Sequence, residues 1–281
     1  MARPDFLIIG AMKCGTSTLQ AQLAAQDGIF MSTPKEPNFF SDDAIYAKGM
    51  EWYDALFEAA GPDDLKGEAS THYTKMPTHP DTVARLAKAV PEPKLIYVIR
   101  NPLERLVSHY IHDWTMGEID VSLRDAVTFH PELVAYGRYA MQIAPYVKTF
   151  GVERIYLTSL EILQTMQGAE LQKIAEFIGV EGEVSWQADI NQMNASEERI
   201  RRFPLYDIIV QNPVATALRR TLVPRSFRDK VKSRYQMRER PELGEAVTRE
   251  LAQVFSRDFA ELRQMFPSNT AIETCANFET L

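Results

Sequence analysis

Phe6-Leu-Ile-Ile-Gly10-Ala-Met-Lys13-Cys14-Gly15-Thr16-Ser17-Thr18 is the stretch that decides the fold. Phe6 to Ile9 form an apolar run without polar alternation, the pattern of a strand buried on both faces. Gly10 and Gly15 bound a loop, and Thr16 to Gln26, with Leu19 and Leu23 about one turn apart, reads as a helix. A glycine loop between a strand and a helix is an anion cradle. The first N–H groups of a helix have no intrahelical partner, the helix dipole adds positive charge there, and glycine lets the backbone approach the ligand. Thr16, Ser17 and Thr18 add hydroxyl donors.

The loop departs from a nucleoside-triphosphatase loop in two ways. Gly10 and Gly15 have the Gly-x4-Gly spacing, but Thr16 stands where that motif requires lysine, and the lysine is Lys13, inside the loop. A lysine there faces the terminal group from the side opposite the helix, near the bridging oxygen of a leaving phosphate. Leu95-Ile-Tyr-Val-Ile99, the strongest strand in the chain, runs into Arg100 rather than into the aspartate that holds magnesium in such enzymes. An arginine at a strand's C-terminal end suits a phosphate held without metal. Ser108, about two helical turns beyond Arg100, is placed to add a hydroxyl bond to the same phosphate.

Outward from these elements, strands and helices alternate. Ile29 to Met31 reads as a short strand and 34–50 as loop. Val83, Leu86, Ala87 and Val90 have helical spacing. A helix begins near Leu103. Ile143, Tyr146, Val147 and Phe150 repeat the helical spacing, followed by a strand at Ile155 to Leu157. Leu171 to Ile178 reads as a helix closed by Gly179, and Val247 to Leu262 as a late amphipathic helix. The alternation predicts an α/β fold of the P-loop-like, three-layer kind, with a central parallel sheet between helices. One domain is expected over residues 1–281. Its 182–245 stretch, with Pro204, Pro213, Pro224 and Pro241, is read as loops and short helices packed on the core.

Composition narrows the function. With 45% hydrophobic and 25% charged residues the chain is globular, and a net charge of −7 argues against a nucleic-acid partner. Two cysteines, Cys14 and Cys275, make no disulfide framework, so a reducing, cytoplasmic setting is expected. No run approaches the ~20 apolar residues of a membrane span. His109 and His112 lack further ligands at metal spacing, so they read as packing or surface residues and no metal site is expected.

Four segments in order, GAMKCGTSTL (10–19), KEPNFF (35–40), GEASTHY (67–73) and IRNPLERLVSHY (99–110), resemble the sulfotransferases that use 3′-phosphoadenosine 5′-phosphosulfate (PAPS). The likeness is closest to the heparan-type, carbohydrate and related bacterial branch, because KEPNFF follows the first helix, and it spans about residues 5–200. By that resemblance Lys13, Cys14, Gly15, Thr16, Ser17 and Thr18 form the 5′-phosphosulfate loop, and Arg100 and Ser108 hold the 3′-phosphate. Tyr139 is similar to a cofactor-side aromatic. Arg199 and Arg201 stand in the segment that closes over the cofactor, although the local sequence departs from the family's Lys-Gly-Arg form. The resemblance implies PAPS as co-substrate, adenosine 3′,5′-bisphosphate as product, and no metal.

The expected chemistry is in-line sulfuryl transfer to a hydroxyl or amine, dominated by positioning and charge stabilisation. Lys13 stabilises the departing phosphate. Glu36, between Lys35 and Pro37, is the candidate base, with His72 as its rival. The acceptor is expected to be a small molecule or saccharide. Two other readings remain open at this point: a P-loop nucleotide kinase or hydrolase, which requires magnesium-dependent turnover, and a non-catalytic protein that binds adenosine bisphosphate.

Overall fold

The computed structural model describes residues 3–190, Met237 and residues 239–280. Five strands form one sheet in the order β2-β3-β1-β4-β5, every neighbouring pair parallel. They are β1 (Phe6–Gly10), β2 (Ile29–Met31), β3 (Leu65–Ala69), β4 (Lys94–Ile99) and β5 (Ile155–Ser159). β1 is buried along its whole length, and β4 everywhere but at Lys94, as continuous apolar runs in a sheet covered on both faces must be.

The helices follow the chain as α1 (Thr16–Ala24), α2 (Asp43–Tyr46), α3 (Gly49–Asp54), α4 (Thr82–Ala89), α5 (Pro102–Met116) and α6 (Leu123–Phe129). After them come α7 (Glu132–Ala135), α8 (Tyr139–Phe150), α9 (Leu160–Thr165), α10 (Gln167–Ile178), α11 (Glu245–Met265) and α12 (Thr270–Cys275). Most agree with the periodicity to within a turn. The segment 34–50 does not: it carries α2 and the start of α3, helices too short to show a period. β3 has no counterpart in the sequence reading. Its residues Leu65-Lys-Gly-Glu-Ala69 hold two charges and a glycine, yet it lies between β2 and β1. Of the stretch 182–245, residues 182–190 and 239–244 carry no helix or strand, and 191–236 and Arg238 lie outside the described residues.

Local chemistry sets the entry to α5. Asn101 caps it, its Oδ1 accepting from the N–H groups of Leu103 (3.0 Å) and Glu104 (3.1 Å), with Pro102 in the first turn. Gly117 ends the helix at φ 83°. The chain leaving β1 returns to β2 on one side of the sheet, while the chain leaving β4 goes to β5 on the other. A crevice between the C-terminal ends of β1 and β4 is the consequence, and ligands of open parallel sheets bind in such crevices.

Candidate active site

The loop after β1 is fixed from both sides. Ala11 N–H donates to Val98 O of β4 (2.7 Å), and Thr74 Oγ1 donates to Ile9 O (2.9 Å). Gly10 admits no side chain, since a Cβ there would stand 1.9 Å from Thr74 Oγ1. Gly15, left-handed at φ 85°, precedes α1 and supplies no side-chain cap. The first turn therefore offers its N–H groups to a cleft of about 1070 Å³, lined by Lys13, Gly15, Thr16, Ser17 and Thr18.

Lys13 is itself left-handed (φ 69°), a conformation costing roughly 1–2 kcal/mol for a residue with a Cβ. Burial lowers its pKa below the usual lysine value. The Asp113 carboxylate opposes that shift, and the Arg100 guanidinium adds to it. The ammonium is thus poorly solvated and beside another cation, an arrangement that an incoming anion relieves.

Arg100 and Ser108 line the same cleft. The guanidinium of Arg100 donates to Lys13 O (3.5 Å) and to Glu104 Oε2 (3.4 Å). Arg240, from the segment before α11, bonds the same Glu104 carboxylate and also lines the cleft.

Two residues assigned to the cofactor, Tyr139 and Cys14, are not among those lining the cleft. Tyr139 is wholly buried. Its hydroxyl donates to Arg100 O (2.8 Å), accepts from Arg100 N–H (3.3 Å) and lies 3.7 Å from Cys14 Sγ. It therefore braces the Arg100 backbone from beneath. Cys14 is also fully buried, its N–H is used on Ala11 O (3.2 Å), and burial pushes its thiol up to about 11. It packs the loop against the core. Arg199 and Arg201 fall outside the described residues.

Across the cleft stands Glu36. Its backbone is left-handed (φ 58°), as is that of Asn38 (φ 54°), and Glu36 N–H donates to Ala69 O (3.0 Å). Its carboxylate accepts from Thr71 N–H (2.9 Å), from Thr71 Oγ1 (3.1 Å to Oε2) and from Lys35 Nζ (2.7 Å). The side chain keeps 27% of its surface exposed toward the cleft. His72 lines the cleft too, stacked on His79 at 5.0 Å between centroids. Burial, then the charge of Lys75, pushes its pKa down to about 4.

Lys75 is a lining residue that no motif pointed to. It sits 5.7 Å from the centroid of Tyr136, and burial lowers its pKa while Glu36 and Asp113 oppose the shift. His112, read as packing or surface, lines the cleft as well, whereas His109 is buried with Nε2 3.1 Å from Asp113 Oδ2. Among the described residues no group of three or more His, Cys, Asp and Glu side chains is arranged for a metal.

The profile of the sulfotransferase domain family matches residues 3–261. The chain belongs to the sulfotransferase family. Heparan sulfate glucosamine 3-O-sulfotransferase 3B1 of Mus musculus is 27% identical to this sulfotransferase over 190 residues, 63% of this chain and 46% of that protein. The chain thus spans about half the length, or less, of the curated relatives it matches. The solved sulfotransferase from Alicyclobacillus acidocaldarius superposes with a TM-score of 0.68 at 22% identity, covering 97% of this chain and 100% of that one. A mouse sulfotransferase complexed with PAP superposes with a TM-score of 0.52 at 16% identity, over 100% of this chain and 90% of that one. The fold is therefore that of the sulfotransferases, a five-stranded parallel sheet flanked by helices of the P-loop-like kind. The family separates the chain from the P-loop kinases and hydrolases. No helix among the described residues is long and apolar enough to cross a membrane.

Proposed function

We propose that the protein transfers a sulfuryl group from PAPS to a hydroxyl on a saccharide or a similarly hydroxylated small molecule. One observation carries this reading: Lys13, Glu36, Arg100 and Ser108, from three separate loops and a helix, line a single cleft. The donor half fits a nucleotide bearing two phosphate positions. The α1 N-terminus and Lys13 receive the 5′ group, and Arg100 with Ser108 receives the 3′-phosphate. The relatives named for heparan sulfate supply the saccharide class, and their reach over only part of their own length keeps the acceptor a proposal.

Transfer requires an acceptor oxygen to bond to sulfur as the bond from sulfur to the 5′-phosphate oxygen breaks. The electron pair leaves with adenosine 3′,5′-bisphosphate, where Lys13 meets the growing negative charge. The hydroxyl proton passes to Glu36. We prefer Glu36 to His72 because its carboxylate is pre-oriented by Thr71 at the edge of the cleft.

The test is transfer of labelled sulfate from PAPS to a panel of hydroxylated acceptors, beside calorimetric binding of adenosine 3′,5′-bisphosphate. Glu36→Gln is expected to lower kcat by about 10²–10⁴-fold with binding retained, and Lys13→Ala to impair both. Magnesium-dependent ATP turnover by the unaltered protein, with no sulfate transferred, overturns the reading.

A further inference from the structure

Glu68 is a carboxylate that the proposed chemistry does not use. It lies in β3, wholly buried, directly under the loop that carries Glu36. A buried carboxylate is retained only where donors satisfy it. Here Ser70 Oγ donates to Oε1 at 2.6 Å and the Tyr53 hydroxyl of α3 donates to Oε2. The phenol of Tyr73 is hydrogen-bonded to the same carboxylate and also reaches Ser70. Burial raises the pKa of Glu68, and the hydroxyls of Ser70 and Tyr53 pull it back.

The direction of these protons matters. Ser70 has one hydroxyl proton to donate, and Glu68 accepts that hydrogen bond. The hydroxyl therefore turns its lone pairs outward, and Asn38 N–H donates to it at 3.1 Å. Asn38 and Glu36 flank Pro37, and both hold left-handed backbones that an isolated chain avoids. Ser70 is 1% exposed, so water does not compete for this contact.

We propose that Glu68 is a positioning residue for Glu36: by accepting the Ser70 hydrogen bond it makes Ser70 the acceptor that pins Asn38, and so fixes the strained turn that aims the Glu36 carboxylate. The proposal rests on Glu36 being the base. Glu68 touches neither donor nor acceptor, because it is sealed beneath the loop.

The experiment uses the full chain with adenosine 3′,5′-bisphosphate bound, and two variants. Glu68→Gln leaves one acceptor oxygen for the hydroxyls of Ser70, Tyr53 and Tyr73 and sets an NH2 donor beside them, so the orientation of Ser70 is lost. Ser70→Ala removes the acceptor of Asn38 N–H while leaving Tyr53 on Glu68, and it carries the test should Glu68→Gln fail to fold. Amide hydrogen exchange at Asn38 is expected to quicken at least ~10-fold in both, with the amides of α1 unchanged. In transfer assays kcat falls roughly 10- to 100-fold, while the Kd of adenosine 3′,5′-bisphosphate stays within about twofold. Unchanged exchange at Asn38 in the folded variants overturns the proposal. So does a cofactor Kd that weakens in step with kcat, which marks general loss of structure. Glu36→Gln separates the two readings: full transfer in that variant removes Glu36 as the base but leaves the exchange result at Asn38 to report on Glu68.

Discussion

Tyr139→Phe distinguishes a residue that touches the cofactor from one that braces it. The substitution keeps the ring and its packing, so no cavity opens. It deletes one hydroxyl, which donates to Arg100 O at 2.8 Å and accepts from Arg100 N–H at 3.3 Å. Both backbone groups then lose their partner at a position half closed to water, and a buried polar group left unmade costs about 1–3 kcal/mol. For a chain of this size that corresponds to a Tm lowered by about 2–6 °C. The Arg100 side chain keeps its contacts to Lys13 O and Glu104, so the affinity for adenosine 3′,5′-bisphosphate should fall only about 2- to 10-fold. Differential scanning calorimetry with calorimetric titration of the bisphosphate reads both quantities. An unchanged Tm with an affinity loss beyond 100-fold refutes the bracing role and restores Tyr139 to the cofactor surface.

Two further expectations concern protons. Burial holds the Lys13 pKa below the usual lysine value, and only the ammonium form attracts an anion, so affinity for adenosine 3′,5′-bisphosphate should decline with rising pH before the ordinary lysine range is reached. Titration between pH 7 and 10 should show this in the unaltered chain and not in Lys13→Arg; parallel profiles remove Lys13 from the phosphate site. Asp258 caps α8, accepting from Ala140 N–H (2.8 Å) and Met141 N–H (3.2 Å), and burial raises its pKa to about 6 from an ordinary 3.8. The folded chain then holds the proton more tightly than the unfolded one, so this group's stability is fullest below about pH 4 and is lost as pH rises through 6. A shift of about two units corresponds to about 3 kcal/mol. The stability of Asp258→Asn relative to the unaltered chain, read from urea midpoints, should therefore improve from pH 4 to pH 7; a relative stability that stays flat or worsens over that range rejects the shift.

The parts of the fold visible in the sequence are those where burial leaves an unbroken apolar signature. β1 and β4 were readable for that reason, and so was the loop between β1 and α1, whose glycines and lysine stand at fixed spacing. β3 hid because its core position is bought by special partners rather than by apolar side chains. Gly67 lies where a Cβ would meet Phe6 Cζ at 2.3 Å and Met31 Sδ at 2.5 Å. Glu68 is accepted into the core because hydroxyls distant in sequence, such as Tyr53, reach it. Three residues that share the cleft were likewise legible: Lys13, Arg100 and Ser108. The burial of Tyr139 beneath Arg100 was not legible, because a buried tyrosine and a ligand-facing one look alike in sequence. Lys75 went unnoticed because nothing in its spacing tells a lysine folded against Tyr136 at the cleft from one in solvent.

The sheet order has a consequence for how such a protein changes its target. The groups assigned to the donor hang from β1 and β4, neighbours at the centre of the sheet, whereas Glu36, His72 and Lys75 hang from the ends of β2 and β3 to one side. Under the proposed function, the donor groups and the candidate base therefore come from separate stretches of chain. Residues 32–80 hold the Glu68–Ser70–Asn38 contacts within themselves, and they meet the loop after β1 through Thr74, whose hydroxyl donates to Ile9 O. A change made in that stretch to alter the acceptor side therefore has to keep Thr74, on which the donor-side loop rests.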